Sequence, residues 1–203
     1  MSYSTLWVMD KDFKGYEIEE YHNSWLFAPI SWDILYEKYL PNEIFDAILG
    51  GKKHYISSAM FDRELFNRLN NKINNTPIQV DRVIWELTNQ QVFFTKDKIF
   101  VSNCIKDFLG INAKYIRDCG EHIFQRFNEL SDDIINIDEN EYLYFISKNT
   151  SVDDNVDGWF RKYNEEDDEC KNCSLKEVEK HVAEFVIIKD NAIDKFISNI
   201  DYF

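Results

Sequence analysis

Apolar residues gather in short runs near both ends of the 203-residue chain. Runs of this length, rich in aromatic and β-branched residues and bounded by polar turns, predict strands. The run near residue 144 is continuous rather than alternating, so we expect that strand to be buried on both faces. The predicted strands span residues 3–8, 16–28 (one or two strands, ending before Pro29), 141–147 and 184–189.

Between these runs, apolar residues recur at three- and four-residue spacing, which predicts amphipathic helices. Ser31 is the predicted N-cap of the first helix, and Pro41 ends it. Further helices are predicted to begin near Asp81 and near Asp97. The remaining predicted helices span residues 42–49, about 60–71, 116–135, 158–163 and 192–200.

Helices in the middle of a chain and strands toward its two ends predict an α+β fold. We expect one mixed or antiparallel sheet, built from the N- and C-terminal strands and covered by the central helical segment. No Ser/Gly-rich linker interrupts the chain, and no repeat occurs at the usual periods. Residues 1–203 are therefore predicted to form a single domain.

The charge balance limits the classes of partner. The chain has 23 basic and 37 acidic residues, a net charge of −14, which argues against a protein that binds nucleic-acid backbones. The first residues lack a basic segment followed by an apolar one, no apolar stretch is long enough to span a membrane, and the four cysteines are sparse. We expect a cytoplasmic protein with reduced thiols.

Two segments could hold a metal ion. Asp153, Asn155 and Asp157, followed by Gly158, match the opening of an EF-hand calcium loop, but the twelfth position is Asn164 instead of a bidentate Glu. A polar loop that caps a short helix explains the same residues.

The second segment is a cysteine pair with the spacing of a zinc half-site. Cys170 and Cys173 could combine with Cys119 and His122, which have the same spacing, to form a Cys3His site. The complete four-ligand signature is absent, and a surface loop with two free thiols is the simpler interpretation. We therefore expect no cofactor, with zinc as the alternative.

No motif indicates catalysis. The four histidines are scattered, and the chain contains no GxSxG, HExxH, P-loop or dinucleotide-binding sequence. We therefore expect a protein that is not an enzyme.

The most acidic segment also contains two large aromatic residues, Trp159 and Phe160, where a core position would be unusual. Aromatic side chains dominate the hot spots of protein interfaces, and carboxylates attract basic surfaces. The predicted partner-binding residues are Asp153, Asp154, Asp157, Trp159, Phe160, Glu165, Glu166, Asp167, Asp168 and Glu169. A solvated face that serves solubility alone explains the same run of charges equally well.

These features predict an acidic cytoplasmic binding protein that inhibits or regulates a protein partner by occluding the partner's basic surface. Immunity proteins against toxins and phage-encoded blockers of host defence enzymes are inhibitors of this type. One alternative is a metal-dependent protein or enzyme that uses the 153–158 loop or the Cys170/Cys173 pair. A module that self-associates is another.

Overall fold

The computed structural model describes residues 3–22, 27–41, 47–49, 52–54, 63–148, 162–164, 169–171 and 184–198. The helices in these residues are α1 (Phe27–Tyr39), α2 (Arg63–Asn74), α3 (Gln79–Thr88), α4 (Lys98–Cys119) and α5 (Glu121–Asn136). The strands are β1 (Tyr3–Met9), β2 (Gly15–His22), β3 (Ala47–Leu49), β4 (Lys52–His54), β5 (Val92–Phe94), β6 (Tyr144–Lys148), β7 (Lys162–Asn164), β8 (Glu169–Lys171), β9 (Glu184–Lys189) and β10 (Ala192–Ser198).

Six of the strands form one mixed sheet in the order β10-β9-β5-β6-β1-β2. Strand β5 runs parallel to β9, and the other neighbouring strands are antiparallel. The first and last apolar runs of the sequence therefore meet in one sheet, which confirms the predicted α+β arrangement. Strands β3 and β4 form a separate two-stranded ribbon, as do β7 and β8.

The helices pack on one face of this sheet. Alternate residues of a strand point to the same face, and Leu6 and Val8 of β1 lie in one buried cluster with residues of all five helices. Phe27 of α1 and Phe127 of α5 bring their ring centroids to 4.3 Å. The helix face of the sheet is lined by Leu6, Val8, Phe93, Phe145, Val186 and Ile188.

The opposite face of the sheet is also apolar. A second buried cluster contains Met9, Val92, Tyr144, Ile146 and Phe185, together with Phe13 from the turn after β1. The central strands are therefore buried on both faces, as the continuous apolar run predicted.

The start of α1 differs from the prediction. Strand β2 ends at His22, and Phe27 and Ala28, predicted as the end of a strand, begin the helix. Pro29 lies in the first turn, where a residue needs no N–H for an intrahelical hydrogen bond. Ser31 is a buried residue within α1 and not its N-cap.

The predicted helix 192–200 is wrong, because residues 192–198 form β10. Asp190 and Asn191 both have positive φ, at 51° and 57°, and such residues make the tight turns that join antiparallel strands. The pairing of β10 with β9 is irregular between Ile193 and Lys195. This irregularity brings Ile193 and Phe196 to the same face, so their three-residue spacing resembles that of a helix.

The predicted continuous helix 116–135 is divided between α4 and α5 at Gly120. The two helices run antiparallel, and the hydroxyl oxygens of Ser102 and Ser131 lie 2.7 Å apart between them. A Cβ atom on Gly120 would lie 2.7 Å from Cε1 of His122 and 3.2 Å from Cδ1 of Ile123, so a larger residue at this turn would require these two side chains to shift.

Two further helix predictions overlap strands. Residues 47–49, the end of the predicted helix 42–49, form β3 and pair with β4. Lys162 and Tyr163, the end of the predicted helix 158–163, lie in β7. Strand β5 was not predicted, because three residues between two helices give too short a pattern.

Candidate interaction surface

The turn between β1 and β2 is fixed by hydrogen bonds and by a buried ring. The Asp10 carboxylate accepts hydrogen bonds from the backbone N–H groups of Asp12 and Lys14, at 2.8 and 3.0 Å. Phe13 has a φ of 58°, which directs its buried side chain onto Tyr144, with ring centroids 4.9 Å apart. The turn is therefore held in one position relative to β6.

The loop that leads into β6, residues 138–143, is also fixed by backbone hydrogen bonds. The backbone N–H of Tyr142 donates to the carbonyl of Asp138, at 2.9 Å. The N–H of Leu143 donates to the carbonyl of Met9 at 2.9 Å, and the carbonyl of Leu143 accepts from the N–H of Thr95 at 3.0 Å. Leu143 thus bonds this loop to the last residue of β1 and to the residue that follows β5.

The start of β2, directly after the β1–β2 turn, and the 138–143 loop present large side chains to solvent. Tyr16 and Leu143 are 37% and 42% exposed, and the rings of Tyr16 and Tyr142 lie 5.7 Å apart. Grooves of about 420 and 410 Å³ flank the 138–143 loop. We call their combined lining the sheet-end surface: Asp10, Lys11, Tyr16, Phe94, Thr95, Lys96, Glu139, Asn140, Glu141, Tyr142, Leu143 and Tyr144.

Carboxylates outnumber bases around the exposed apolar side chains. Residues 10–20 carry five carboxylates and two lysines, and residues 138–143 carry three carboxylates and no base. The Tyr142 hydroxyl donates to Glu141 at 2.7 Å. This hydrogen bond, with burial and the charge of Glu141, raises the pKa of Tyr142 to about 12. The hydroxyl therefore stays protonated at neutral pH, beside a carboxylate.

The aromatic rings of this surface already attract cations of the chain itself. The ammonium groups of Lys14 and Lys96 lie 5.3 Å from the ring centroids of Tyr16 and Phe94, respectively. Ring faces bind Lys and Arg in this geometry. The same faces suit a basic side chain of a partner.

A separate polar cluster lies, partly buried, between α3 and the β9–β10 hairpin. Arg82 donates to the carbonyl of Ile193 at 3.0 Å, and the N–H of Ile193 donates to the Gln79 side chain at 2.9 Å. Burial raises the pKa of the neighbouring Glu86 to about 7, and the Glu184 carboxylate adds to the rise. Glu86 is 3% exposed, so it exchanges a proton near neutral pH without being able to contact a partner.

Most of the predicted partner-binding residues lie outside the described residues. These are Asp153, Asp154, Asp157, Trp159, Phe160, Glu165, Glu166, Asp167 and Asp168, and with them residues 153–158 of the candidate calcium loop. Of Glu169 the structure gives the backbone alone, in β8 opposite Asn164. Their role in partner binding stays a prediction.

The zinc hypothesis is also open. Cys119 is half-buried at the end of α4, and His122 is exposed in the first turn of α5. The backbone of Cys170 lies in β8, and Cys173 is outside the described residues. In the part of the chain that the structure describes, no three His, Cys, Asp or Glu residues are grouped to hold a metal ion.

The exposed apolar residues of the sheet-end surface, Leu143 above all, were not predicted from the sequence. Residues 141–143 were predicted to begin a buried strand, whereas β6 begins at Tyr144 and Leu143 is exposed in the preceding loop. The sequence Asp138-Glu139-Asn140 was the available signal, since Asp and Asn often bond to the backbone of their own turn. The Asp138 carboxylate does accept from the N–H of Asn140, at 2.9 Å, and this bond lowers the pKa of Asp138.

Comparisons with protein-family models, with curated proteins and with solved structures find no match to this chain. Among the described helices, none is both long enough and apolar enough to cross a membrane. The sheet-end surface, with its exposed aromatic and apolar side chains among carboxylates, is therefore the feature from which we infer a function.

Proposed function

We propose that this chain is an acidic binding protein that inhibits or regulates a protein partner by occluding the partner's basic surface. The observation that carries the proposal is the sheet-end surface, on which the start of β2 and the firmly bonded 138–143 loop present Tyr16, Tyr142 and Leu143 among carboxylates. Interfaces of this kind combine a few aromatic and apolar anchors with a charged rim.

The fixed loops favour binding because they are ordered before the partner arrives. Immobilising a loop or a flexible side chain on binding costs free energy, and a pre-ordered surface avoids part of that cost. Leu143 is bonded on both sides through its backbone, so its side chain is presented without further ordering of the loop. The carboxylates around it would draw in a basic surface and speed the encounter.

The first test is capture of partners from the source cell by the tagged full chain, followed by binding kinetics with the purified partner. The proposal expects a protein with a basic surface whose own activity falls when the chain binds. Leu143→Ala should weaken binding by about tenfold or more, mainly through faster dissociation, because it removes an anchor.

Ile111→Ala is the matched control, since Ile111 is a still more exposed apolar residue on α4, away from the sheet-end surface. It should bind the partner like the parent chain. Equal losses in the two variants, or a partner whose activity is unaffected, would reject the proposal.

The contribution of the carboxylates to binding is measured separately, through the association rate. Replacing Glu139 and Glu141 by Gln should lower the association rate more than it changes the dissociation rate, and the effect should shrink as salt rises toward about 0.5 M. Replacing Glu165, Glu166 and Glu169 by Gln, and Asp167 and Asp168 by Asn, tests the predicted acidic segment in the same way. Trp159→Ala should instead speed dissociation, because it would remove an anchor.

A further inference from the structure

We propose that a single arginine side chain of the partner enters the groove between the β1–β2 hairpin and the 138–143 loop. This inference rests on the proposed function, because it names the side chain by which the partner's basic surface is recognised. The groove has a volume of about 420 Å³, and clefts that bind ligands measure about 300–1,000 Å³. We call it the tyrosine groove, and it is lined by Asp10, Lys11 and Tyr16 of the hairpin and by residues 140–143.

Two aromatic rings of the tyrosine groove offer faces on which a guanidinium group can stack. The ring centroids of Tyr16 and Tyr142 lie 5.7 Å apart, with their planes inclined at 57°. Arginine stacks on aromatic faces more readily than lysine, because its guanidinium is planar and more weakly hydrated. The ammonium group of Lys14 lies 5.3 Å from the Tyr16 centroid, so a cation is already held at this ring. The partner's arginine would replace this exposed lysine.

Two carboxylates lie close to these rings. The Tyr142 hydroxyl donates to Glu141 at 2.7 Å, and the charges of Glu141 and Asp10 both contribute to the raised pKa of Tyr142. Both carboxylates therefore lie near the same hydroxyl group. A carboxylate can accept about four hydrogen bonds, so each of the two retains capacity for a donor of the partner. A guanidinium has several N–H donors in a rigid fork and can bond to two carboxylates at once.

The positions of these carboxylates are set before the partner binds. The Asp10 carboxylate accepts from two backbone N–H groups of its own turn, and Glu141 is held by the Tyr142 hydroxyl. Immobilising a flexible side chain on binding costs free energy, which a side chain fixed in advance avoids. Lysine matches the charge of the groove, but its ammonium is strongly hydrated and lacks the planar fork. The tyrosine groove is therefore selective for arginine over lysine.

The test is a titration of the full chain with the blocked peptide acetyl-Gly-Arg-Gly-amide, followed through backbone amide chemical shifts. The amides of residues 10–16 and 140–143 should move along one saturation curve, and those of β10, at the far edge of the sheet, should not move. The same peptide with lysine should bind about threefold or more weakly. A peptide with citrulline, which has nearly the same shape without the charge, should bind about tenfold or more weakly.

Three variants of the chain separate recognition in the groove from general charge attraction. Glu141→Gln keeps an acceptor for the Tyr142 hydroxyl but removes the charge, and it should weaken binding of the arginine peptide about tenfold. Tyr16→Leu keeps an apolar side chain but removes the ring, and it should weaken this binding about threefold. Asp107→Asn makes the same charge change as Glu141→Gln on the exposed side of α4 and should leave peptide binding unchanged.

The proposal is overturned if the arginine peptide does not bind, if the lysine peptide binds as tightly, or if Asp107→Asn weakens binding as much as Glu141→Gln. Tighter binding of free L-arginine than of the blocked peptide would show a small molecule as the occupant, which also overturns it. A basic partner that binds through Leu143 while the arginine peptide fails would leave the proposed function standing. An arginine peptide that occupies the groove while no inhibited partner is found would do the reverse.

Discussion

At the scale of single residues, Glu86 couples the stability of the fold to pH. Its pKa is about 7 in the folded chain against an ordinary value of 4.5, chiefly because the side chain is buried. The folded state therefore holds this proton more tightly than the unfolded state. The stabilisation is fully present below pH 4.5 and is lost as pH rises through about 7, and the loss amounts to about 3 kcal/mol.

The first prediction is that Glu86→Gln removes this dependence. Urea unfolding of both proteins at about pH 5 and pH 8 should show the parent chain losing about 2–3 kcal/mol relative to the variant at the higher pH. Other carboxylates titrate in both proteins, so their effects cancel in the comparison. Parallel changes in the two proteins would show that Glu86 does not hold a proton in the folded state.

The second prediction concerns Phe13, which has a positive φ and a buried ring against Tyr144 and Phe185. Phe13→Ala should cost about 3 kcal/mol of unfolding free energy, because it leaves a cavity in the second apolar cluster. Phe13→Gly leaves the same cavity but adopts a positive φ without strain. The glycine variant should therefore be the more stable of the two in urea unfolding, and the opposite order would contradict the backbone argument.

At the scale of elements, Gly120 is the single residue that joins α4 to α5. An added Cβ would meet Cε1 of His122 at 2.7 Å and Cδ1 of Ile123 at 3.2 Å. Its φ of 165° is extended backbone, so the obstacle is this contact and not the dihedral angle. The third prediction is that Gly120→Ala destabilises the fold by about 1 kcal/mol.

The control for this prediction is a double-mutant cycle with His122→Ala. Removing the imidazole gives the new methyl group room, so the cost of Gly120→Ala in that background should fall by half or more. The measurement is the unfolding free energy of the four proteins. An unchanged cost would place the obstacle in Ile123 or in the helix backbones.

The elements that the sequence predicts well are those with an uninterrupted pattern. Strand β9 lies where its apolar run predicts, and α2 follows the spacing of Leu65 and Leu69. Strand β10 was missed because a pairing irregularity breaks its alternation. The sheet-end surface was missed for another reason: its residues come from turns far apart in the chain, and their proximity follows from the order of the strands.

At the scale of the whole molecule, the net charge of −14 destabilises the folded state relative to the unfolded chain. Like charges held together in a folded chain repel one another, and salt screens this repulsion over distances of about 10 Å. The fourth prediction is that the melting temperature rises by a few degrees between about 0.02 and 0.3 M sodium chloride. Potassium chloride should give the same rise, whereas a difference between the two salts would indicate a specific cation site.

The parallel pairing of β5 with β9 has a consequence for the order of folding. Val92 pairs with Phe185, and the strand between β5 and β1, which is β6, also follows β5 in the chain. During synthesis, β5 therefore leaves the ribosome long before either neighbour exists. The antiparallel helices α4 and α5 depend on contacts close in sequence and can form first, since local contacts assemble fastest. The six-stranded sheet is complete only when the β9–β10 hairpin has been synthesised. A nascent chain that lacks this hairpin would therefore expose one edge of β5.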